Sequence, residues 1–290
     1  MELFYKNAKG DTLDLLNNQD KIVLIAAENM HGVELDYTED DSPYMDGTEV
    51  TNVRAAARGI TLTFLLVGNV QRSLDFFKSF VKSKQTGYLI EKDGTGREIQ
   101  IKGIAQVPPY TRMSRGCAVQ LSLYCSQPYW EDIDKIITVI ANIVDLLYFP
   151  EEGRGFPVEG VPFGVIDDDN EKTIENNGDD AAGMEISIVA MGEVSKPRLS
   201  CSTGTQNGWY MELDIDLKEN DEIIISTVKR NKYITLNGSQ YDAAGEPLLD
   251  KLTINGNDWL QIEQGENTFN MSASDPALIY FNISYKRRYE

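Results

Sequence analysis

The side chains that could do catalytic or metal chemistry in this chain are few, apart from its carboxylates. His31 is the single histidine, which excludes most catalytic triads and zinc sites built on imidazoles. It lies in Met30-His31-Gly32, a sequence typical of a turn, and we favour a structural role for it. The chain contains neither a Cys-x-x-Cys pair nor a Gly-x-Ser-x-Gly nucleophile elbow. We therefore predict no catalytic and no metal site.

The carboxylates are numerous, with 46 Asp and Glu, and a glycosidase would need only two of them. At that number two carboxylates lie close together by chance, so their abundance does not predict catalysis. Asp167-Asp168-Asp169-Asn170-Glu171 resembles a calcium loop in composition only, because it lacks the central glycine and the distal glutamate. Gly94-Thr95-Gly96 lies between two predicted strands, so it indicates a turn and not a phosphate-binding loop. We predict no cofactor.

Three aromatic residues, Trp209, Tyr210 and Trp259, could form a sugar-stacking surface. They could instead fill the core of a β-sandwich, which also needs large aromatic side chains. We favour this core interpretation. A carbohydrate-binding adhesion module remains the alternative hypothesis. A cell-wall hydrolase is a third hypothesis with little support.

The formal net charge of −19 disfavours nucleic-acid binding, because such a surface repels a polyphosphate. It is compatible with a protein that lets DNA pass without holding it. Cys117 and Cys125 lie on one predicted strand, about 26 Å apart, which is beyond disulfide reach. With Cys201 they indicate reduced thiols and synthesis in the cytoplasm, and the first residues show no secretory signal.

The first half of the chain predicts a mixed β domain with one main helix. Residues 36–57 are acidic and predict an extended arm or long loop, and Ile60–Val67 predicts a strong strand. A helix is predicted from Val70 to Lys82. Two sets of residues lie on different faces of it: a stripe expected in the core, and a second stripe that either is also buried or meets a neighbouring subunit. The first set is Val70, Leu74, Phe77 and Val81, and the second is Phe76 and Phe80. A hairpin over 88–105 and a strand from Cys117 to Cys125 follow.

The second half predicts an all-β sandwich of jelly-roll type, whereas 151–180 reads as weakly structured. About eight short strands are predicted without an intervening helix: Met184–Ala190, Trp209–Ile215, Glu222–Val228, Lys232–Leu236, Leu249–Ile254, Trp259–Ile262, Thr268–Met271 and Leu278–Tyr285. The chain as a whole is predicted to be mainly β.

Between the halves lies an apolar segment, residues 133–149, that is too short and too polar to span a membrane. Its spacing of three and four suits a helix, and its β-branched residues suit a strand, so both alternatives stay open. We predict an N-terminal domain over 1–130, a packed connector over 131–150 and a C-terminal domain over 151–290.

The order of several short motifs resembles that of the distal tail protein family of siphovirus phages and prophages. The motifs are Asp46-Gly47, Arg58 ahead of Ile60, Cys125-Ser-Gln-Pro-Tyr-Trp130, Phe149-Pro150, Asn177-Gly178-Asp179, Gly183-Met-Glu-Ile-Ser-Ile, Gly192, Lys196-Pro197, Asp258-Trp259-Leu260 and Gly265-Glu266-Asn267. The resemblance covers nearly the whole chain, and its length corresponds to the short form without an inserted module.

This resemblance implies a structural protein of the virion tail tip, made in the host bacterial cytoplasm. Its N-terminal domains would form a homo-hexameric ring, and its galectin-like sandwiches would project outward. Implied partners are the tail tube protein, a tail-tip or tail-associated lysin protein and receptor-binding proteins, with DNA passing through the channel and no membrane contact. Phe76 and Phe80 are the candidate subunit interface.

Overall fold

The structure is a computed structural model that describes residues 2–41, 46–110, 112–113, 116–140, 143–145, 164–166 and 170–290. The chain divides into two compact units: unit 1 is Met1–Ile133 together with Arg288–Glu290, and unit 2 is Asp134–Arg287. Residues 167–169 of the candidate calcium loop and the Phe149-Pro150 motif lie outside the described residues.

The described elements are mostly strands. Unit 1 begins with β1 (Glu2–Lys6), β2 (Thr12–Asp14), β3 (Ile22–Glu28), β4 (Leu35–Asp41), β5 (Thr48–Ala55), β6 (Arg58–Leu66), α1 (Val70–Phe80), β7 (Thr86–Lys92), β8 (Glu98–Gln106), β9 (Arg112–Met113), β10 (Gly116–Cys125) and β11 (Trp130–Asp132). Unit 2 contains β12 (Ile136–Ile140), β13 (Ile143–Asp145), β14 (Gly164–Ile166), β15 (Glu171–Asn176), β16 (Met184–Ala190), β17 (Val194–Ser195), β18 (Arg198–Cys201), β19 (Tyr210–Leu213), β20 (Asp216–Leu217), β21 (Glu222–Ser226), β22 (Tyr233–Leu236), β23 (Leu252–Asn255), β24 (Gly265–Ser272) and β25 (Ile279–Tyr285). The chain ends with β26 (Arg288–Tyr289) in unit 1.

Unit 1 is built on one antiparallel sheet with the order β2-β1-β7-β8-β10-β6-β3, to which β9, β11 and β26 add at the side. The central pair is β6 and β10, which run in register from Cys117↔Leu66 to Cys125↔Arg58. Both strands alternate, and their inward residues are almost fully buried: Ile60, Leu62, Phe64, Leu66, Cys117, Val119, Leu121, Leu123 and Cys125. The predicted alternation of β10 is thus present in the structure.

Helix α1 covers the buried face of this sheet. The side chain of Asn69 caps its N-terminus by accepting a hydrogen bond from the backbone of Arg72, at 3.2 Å. Leu74, Phe77 and Val81 are buried in the core of unit 1, and the rings of Phe77 and Phe64 lie 5.6 Å apart. Three of the four residues predicted for the core stripe are therefore buried, and the fourth, Val70, is half-buried at the margin of the core.

Unit 2 is a β-sandwich of two five-stranded antiparallel sheets, β12-β25-β16-β21-β22 and β15-β24-β18-β19-β23. The inward residues of both sheets form one hydrophobic core, with Phe269 and Phe281 among its fully buried members. Together with the mixed unit 1 and its helix, this confirms the predicted fold class. β13-β14 and β17-β20 form two further, separate two-stranded sheets.

Local features of unit 2 differ from the sequence-based expectation. Residues 171–176, read as weakly structured, form β15, in which only Ile174 and Asn176 face inward. The predicted strand at 249–254 begins as a 3-10 turn, Leu248–Lys251, before β23. In place of the predicted strand at 259–262, a single bridge joins Ile262 to Ala182. β15 and the bridge to Ala182 form by pairing with distant residues, whereas the 3-10 turn is closed locally by the hydrogen bond from the Asp250 N–H to the Pro247 carbonyl at 3.2 Å.

The apolar segment between the halves contains strands where the structure describes it. β12 pairs with β25 from Ile136↔Tyr285 to Ile140↔Phe281, and β13 pairs with β14. Because β25 supplies a full ladder, the β-branched residues of the segment favour the strand over the helix. None of the helices among the described residues is long and apolar enough to cross a membrane.

Candidate subunit interface

The predicted interface residues Phe76 and Phe80 lie side by side on α1. Their ring centroids are 5.3 Å apart in an edge-to-face arrangement, and the Lys21 ammonium lies 4.4 Å from the centroid of Phe76. Both side chains are half-buried and pack against the margin of the unit 1 core. They therefore leave apolar surface accessible beside the helix, and their role between subunits remains a prediction.

Exposed basic side chains lie along α1 and just after it. Arg72, Lys78, Lys82 and Lys84 are exposed, and Asp75 is the single acidic residue between positions 70 and 84. The Lys78 ammonium, about 200° around the helix from Phe76, donates a hydrogen bond to the hydroxyl of Tyr110 at 2.8 Å. We call the surface of residues 70–84, which includes Phe76 and Phe80, the basic helix face. It is unusual in a chain whose acidic residues outnumber the basic ones by 46 to 27.

A second surface is the hairpin of β4 and β5, which we call the arm. The two strands pair from Leu35↔Ala55 to Asp41↔Thr48, with a bulge after Thr38. Neither strand pairs with a third strand in the described part of the chain. Every residue of the two strands is exposed except Ala55, which is intermediate. The sequence predicted an arm or loop here; the structure makes it a regular hairpin.

The root of the arm is fixed by buried side chains of unit 1. Arg58, the first residue of β6 after the arm, donates hydrogen bonds to the carbonyls of Met30, at 2.9 Å, and Gly32. The indole of Trp130, which is fully buried, donates to the same Met30 carbonyl at 2.7 Å. Burial lowers the pKa of the Arg58 guanidinium from its usual value.

His31 belongs to this root. Its Nε2 lies 3.2 Å from Oε2 of the buried Glu91, and its ring stacks on Trp130 with centroids 5.8 Å apart. The residue lies in a bend between β3 and β4, in keeping with the predicted turn. These contacts with Glu91 and Trp130 give it a structural place at the base of the arm.

The candidate sugar-stacking residues of unit 2 are engaged within the chain. Trp209 packs on the core and against Gly256, where an added Cβ would lie 2.5 Å from the indole. The Arg198 guanidinium lies 3.5 Å from the ring centroid of Tyr210, and the Lys232 ammonium lies 5.5 Å from that of Trp259. Trp209 and Trp259 are thus half-buried against the sandwich core, in line with the core interpretation, whereas Tyr210 is half-buried beside Arg198.

The described residues contain no group of three or more His, Cys, Asp and Glu arranged to hold a metal ion. All three cysteines are buried and free, and burial raises the pKa of Cys125 to about 11. An open cleft of about 400 Å³ in unit 2 has no aromatic ring in its lining, which consists of Glu193, Val194, Ser195, Asp216, Leu217, Lys218 and Ser274.

Fold and surfaces together define a class: a β protein in which a mixed β unit with a projecting hairpin precedes a β-sandwich. The comparisons with known proteins agree with this class. Residues 177–289 match the family described as Siphovirus-type tail component, C-terminal domain. A search of curated proteins gives no match.

Two solved structures are similar over nearly the whole chain. The crystal structure of the Dit (gp 19.1) protein of phage SPP1, described as a paradigm of the hub adsorption apparatus in phages infecting Gram-positive bacteria, has a TM-score of 0.65 and 12% identity and covers 99% of both chains. A chain of the phage P2 baseplate in its activated conformation with Ca has a TM-score of 0.45 and 11% identity, with 98% of both chains covered. The family match bears out the predicted resemblance over residues 177–289, and the SPP1 Dit structure shares the fold of nearly the whole chain.

Proposed function

We propose that this protein is the hub of a siphovirus-type tail tip. Six copies form a ring between the tail tube and the tail-tip apparatus, and the sandwich domains of the ring hold receptor-binding or other tip proteins. The protein is structural and not an enzyme. It is made in the cytoplasm of the host bacterium and takes its place at the distal end of the virion tail.

The observation that carries this proposal is the arm. An isolated two-stranded hairpin is at best marginally stable in water. This arm nevertheless extends over seven paired positions with both faces in solvent, and it exposes Leu35, Tyr37, Val50 and Val53. Such a hairpin is stabilised when a second molecule covers its apolar side. The arm is therefore an assembly element, as a ring subunit requires.

The charge of the chain suits the same role. A net charge of −19 repels the phosphate backbone of DNA, so DNA can move through a channel of such subunits without being held. The family match supports a place in the tail, and the SPP1 Dit fold supports a hub.

The proposal is tested by the mass of the purified protein at increasing concentration. Six chains of 32.5 kDa give roughly 195 kDa, which native mass spectrometry should detect and negative-stain microscopy should show as a ring. A variant in which residues 35–55 are replaced by a short Gly-Ser linker should stay monomeric and keep the fold of both units. A wild-type chain that stays monomeric, even with its tube and tip partners, would contradict the proposal.

The alternative of a carbohydrate-binding module has less support, because Trp209 and Trp259 pack against residues of their own unit. A glycan array separates the two functions. Binding that is lost in Trp259→Ala while the sandwich stays folded would favour the adhesin.

A further inference from the structure

We infer that the arm of one copy binds the basic helix face of the next copy, with the acidic residues of the arm against the lysines and its apolar side against Phe76 and Phe80. This inference rests on the proposed ring and names the two surfaces that build it. Three features of unit 1 support it: the opposite charges of the two surfaces, their apolar residues, and their place on different parts of the same unit.

The charges of the two surfaces are opposite. The arm segment 34–54 carries seven acidic residues against one basic residue, Arg54, a formal charge of −6. The segment 70–84 carries four basic residues against Asp75, a formal charge of +3. The arm's charged side chains are exposed, as are those of the basic helix face. Opposite charges of this kind speed encounter and fix the register of an interface.

One side of the arm is apolar near its root. Directly opposed residues of a hairpin point to the same side, so Leu35 and Tyr37 lie with Ala55 and Val53. The alternation of β4 places Glu39 and Asp41 on this same side, towards the tip of the arm. The other side carries the Asp36–Arg54 ion pair, at 3.2 Å, and the pair Thr38↔Asn52. Tyr37 is 56% exposed and Val53 49%. This apolar side matches the half-buried rings of Phe76 and Phe80.

The arm and the basic helix face are two different surfaces of unit 1. The arm enters β6 at Arg58, whereas α1 follows the other end of β6 and runs back over the sheet, where Phe77 meets Phe64. After the helix, the backbone N–H of Lys84 bonds to the Ala105 carbonyl at 2.8 Å. A contact between two different surfaces of identical subunits is head-to-tail, and head-to-tail contacts close into rings when the rotation permits.

Two charge-reversed variants test this pairing. The arm variant is Glu39→Lys/Asp40→Lys/Asp41→Lys/Asp46→Lys/Glu49→Lys, which changes the formal charge of segment 34–54 from −6 to +4. The helix variant is Arg72→Glu/Lys78→Glu/Lys82→Glu, which changes the formal charge of segment 70–84 from +3 to −3. All these side chains are exposed, so circular dichroism should show an unchanged fold. Each variant alone places like charges across the contact and should raise the concentration for half-assembly by more than about tenfold. A matched control in unit 2, Lys172→Glu/Lys218→Glu/Lys229→Glu, should assemble like the wild type.

The decisive measurement mixes the two variants. In the mixture every contact again joins opposite charges, so rings of alternating arm and helix variants should form at wild-type concentration. Wild-type rings that persist in both single variants would overturn the inference and leave the proposed ring intact. Single variants that fail to assemble and are not rescued by mixing would also overturn it. A wild-type chain that never assembles would contradict the proposed function itself, and the inference with it.

Discussion

At the scale of residues, the carbonyl of Met30 joins parts of unit 1 that are distant in sequence. It accepts hydrogen bonds from Trp130, a hundred positions away, and from Arg58. Both donors lie almost wholly out of solvent, so their polar hydrogens depend on this acceptor and on the neighbouring Gly32 carbonyl. The Met30 carbonyl, which lies just before the arm, is thus linked to β6 through Arg58 and to β11 through Trp130.

Trp130→Phe should lower the free energy of unfolding of unit 1 by about 1–2 kcal/mol. The substitution keeps most of the apolar volume and removes the indole N–H, so the Met30 carbonyl loses one of its two donors. Urea titration followed by hydrogen exchange of β6 and β10 measures the loss. The matched control is Trp259→Phe, whose side chain is only half-buried, and it should leave these amides unchanged. Equal protection in wild type and Trp130→Phe would refute the prediction.

At the scale of elements, the sequence predicted what local pattern determines. The inward alternation of β10 and the stripe of Leu74, Phe77 and Val81 depend only on strand and helix periodicity, and both are present in the structure. The arm lacks such a pattern, because its residues face solvent and its register depends on a partner strand. Phe76 and Phe80 were found from helical spacing. The proposal that the acidic arm lies opposite them requires the structure, because the sequence alone does not show that β4 and β5 form an exposed hairpin.

Hydrogen bonds to Glu185 link β16 to β22 and to the residue just before β12, and we call these hydrogen bonds the Glu185 row. Glu185 on β16 accepts hydrogen bonds from the Lys135 ammonium at 2.8 Å, just before β12, and from the Tyr233 hydroxyl at 3.1 Å on β22. The hydrogen bond from Lys135 is the largest cause of a lowered pKa at Glu185. A lowered carboxyl pKa contributes stability above the unfolded value of 4.5, and this contribution is lost as the pH falls through the lower folded value.

Glu185→Gln should therefore flatten the pH dependence of unit 2 stability below about pH 4.5. In the wild type, thermal unfolding of unit 2 should move to lower temperature as the pH falls from 6 to 3, and the variant should show a smaller shift over the same interval. Calorimetry across this range measures both. Glu219→Gln, at an exposed turn position of unit 2, is the control and should behave like the wild type. A slope unchanged by Glu185→Gln would rule out this role for the row.

At the scale of the whole molecule, the chain leaves unit 1 after Ile133, builds unit 2, and returns to unit 1 for its last three residues. β26 pairs with β11 through Trp130↔Tyr289 and Glu131↔Arg288. Both residues of β26 are buried. No local pattern in Lys286-Arg-Arg-Tyr-Glu290 predicts this strand, because its partner lies more than 150 positions away. A mainly β fold with two cores was predictable from the sequence, but this closure was not.

Deleting residues 288–290 should destabilise unit 1 and spare unit 2. The deletion removes the buried Tyr289, whose hydroxyl lies 3.1 Å from Oδ1 of Asp132, and the Arg97 contact with its ring at 4.7 Å. We expect the free energy of unfolding of unit 1 to fall by about 2–4 kcal/mol.

In a Trp209→Phe/Trp259→Phe background the fluorescence of Trp130 reports unit 1 alone, and hydrogen exchange of β16 reports unit 2. Tyr289→Phe, which removes only the hydroxyl, should cost about 1 kcal/mol. An unchanged Trp130 transition after the deletion would show that the terminal strand does not stabilise unit 1, whereas a joint loss of protection in β16 would show that the two units unfold together.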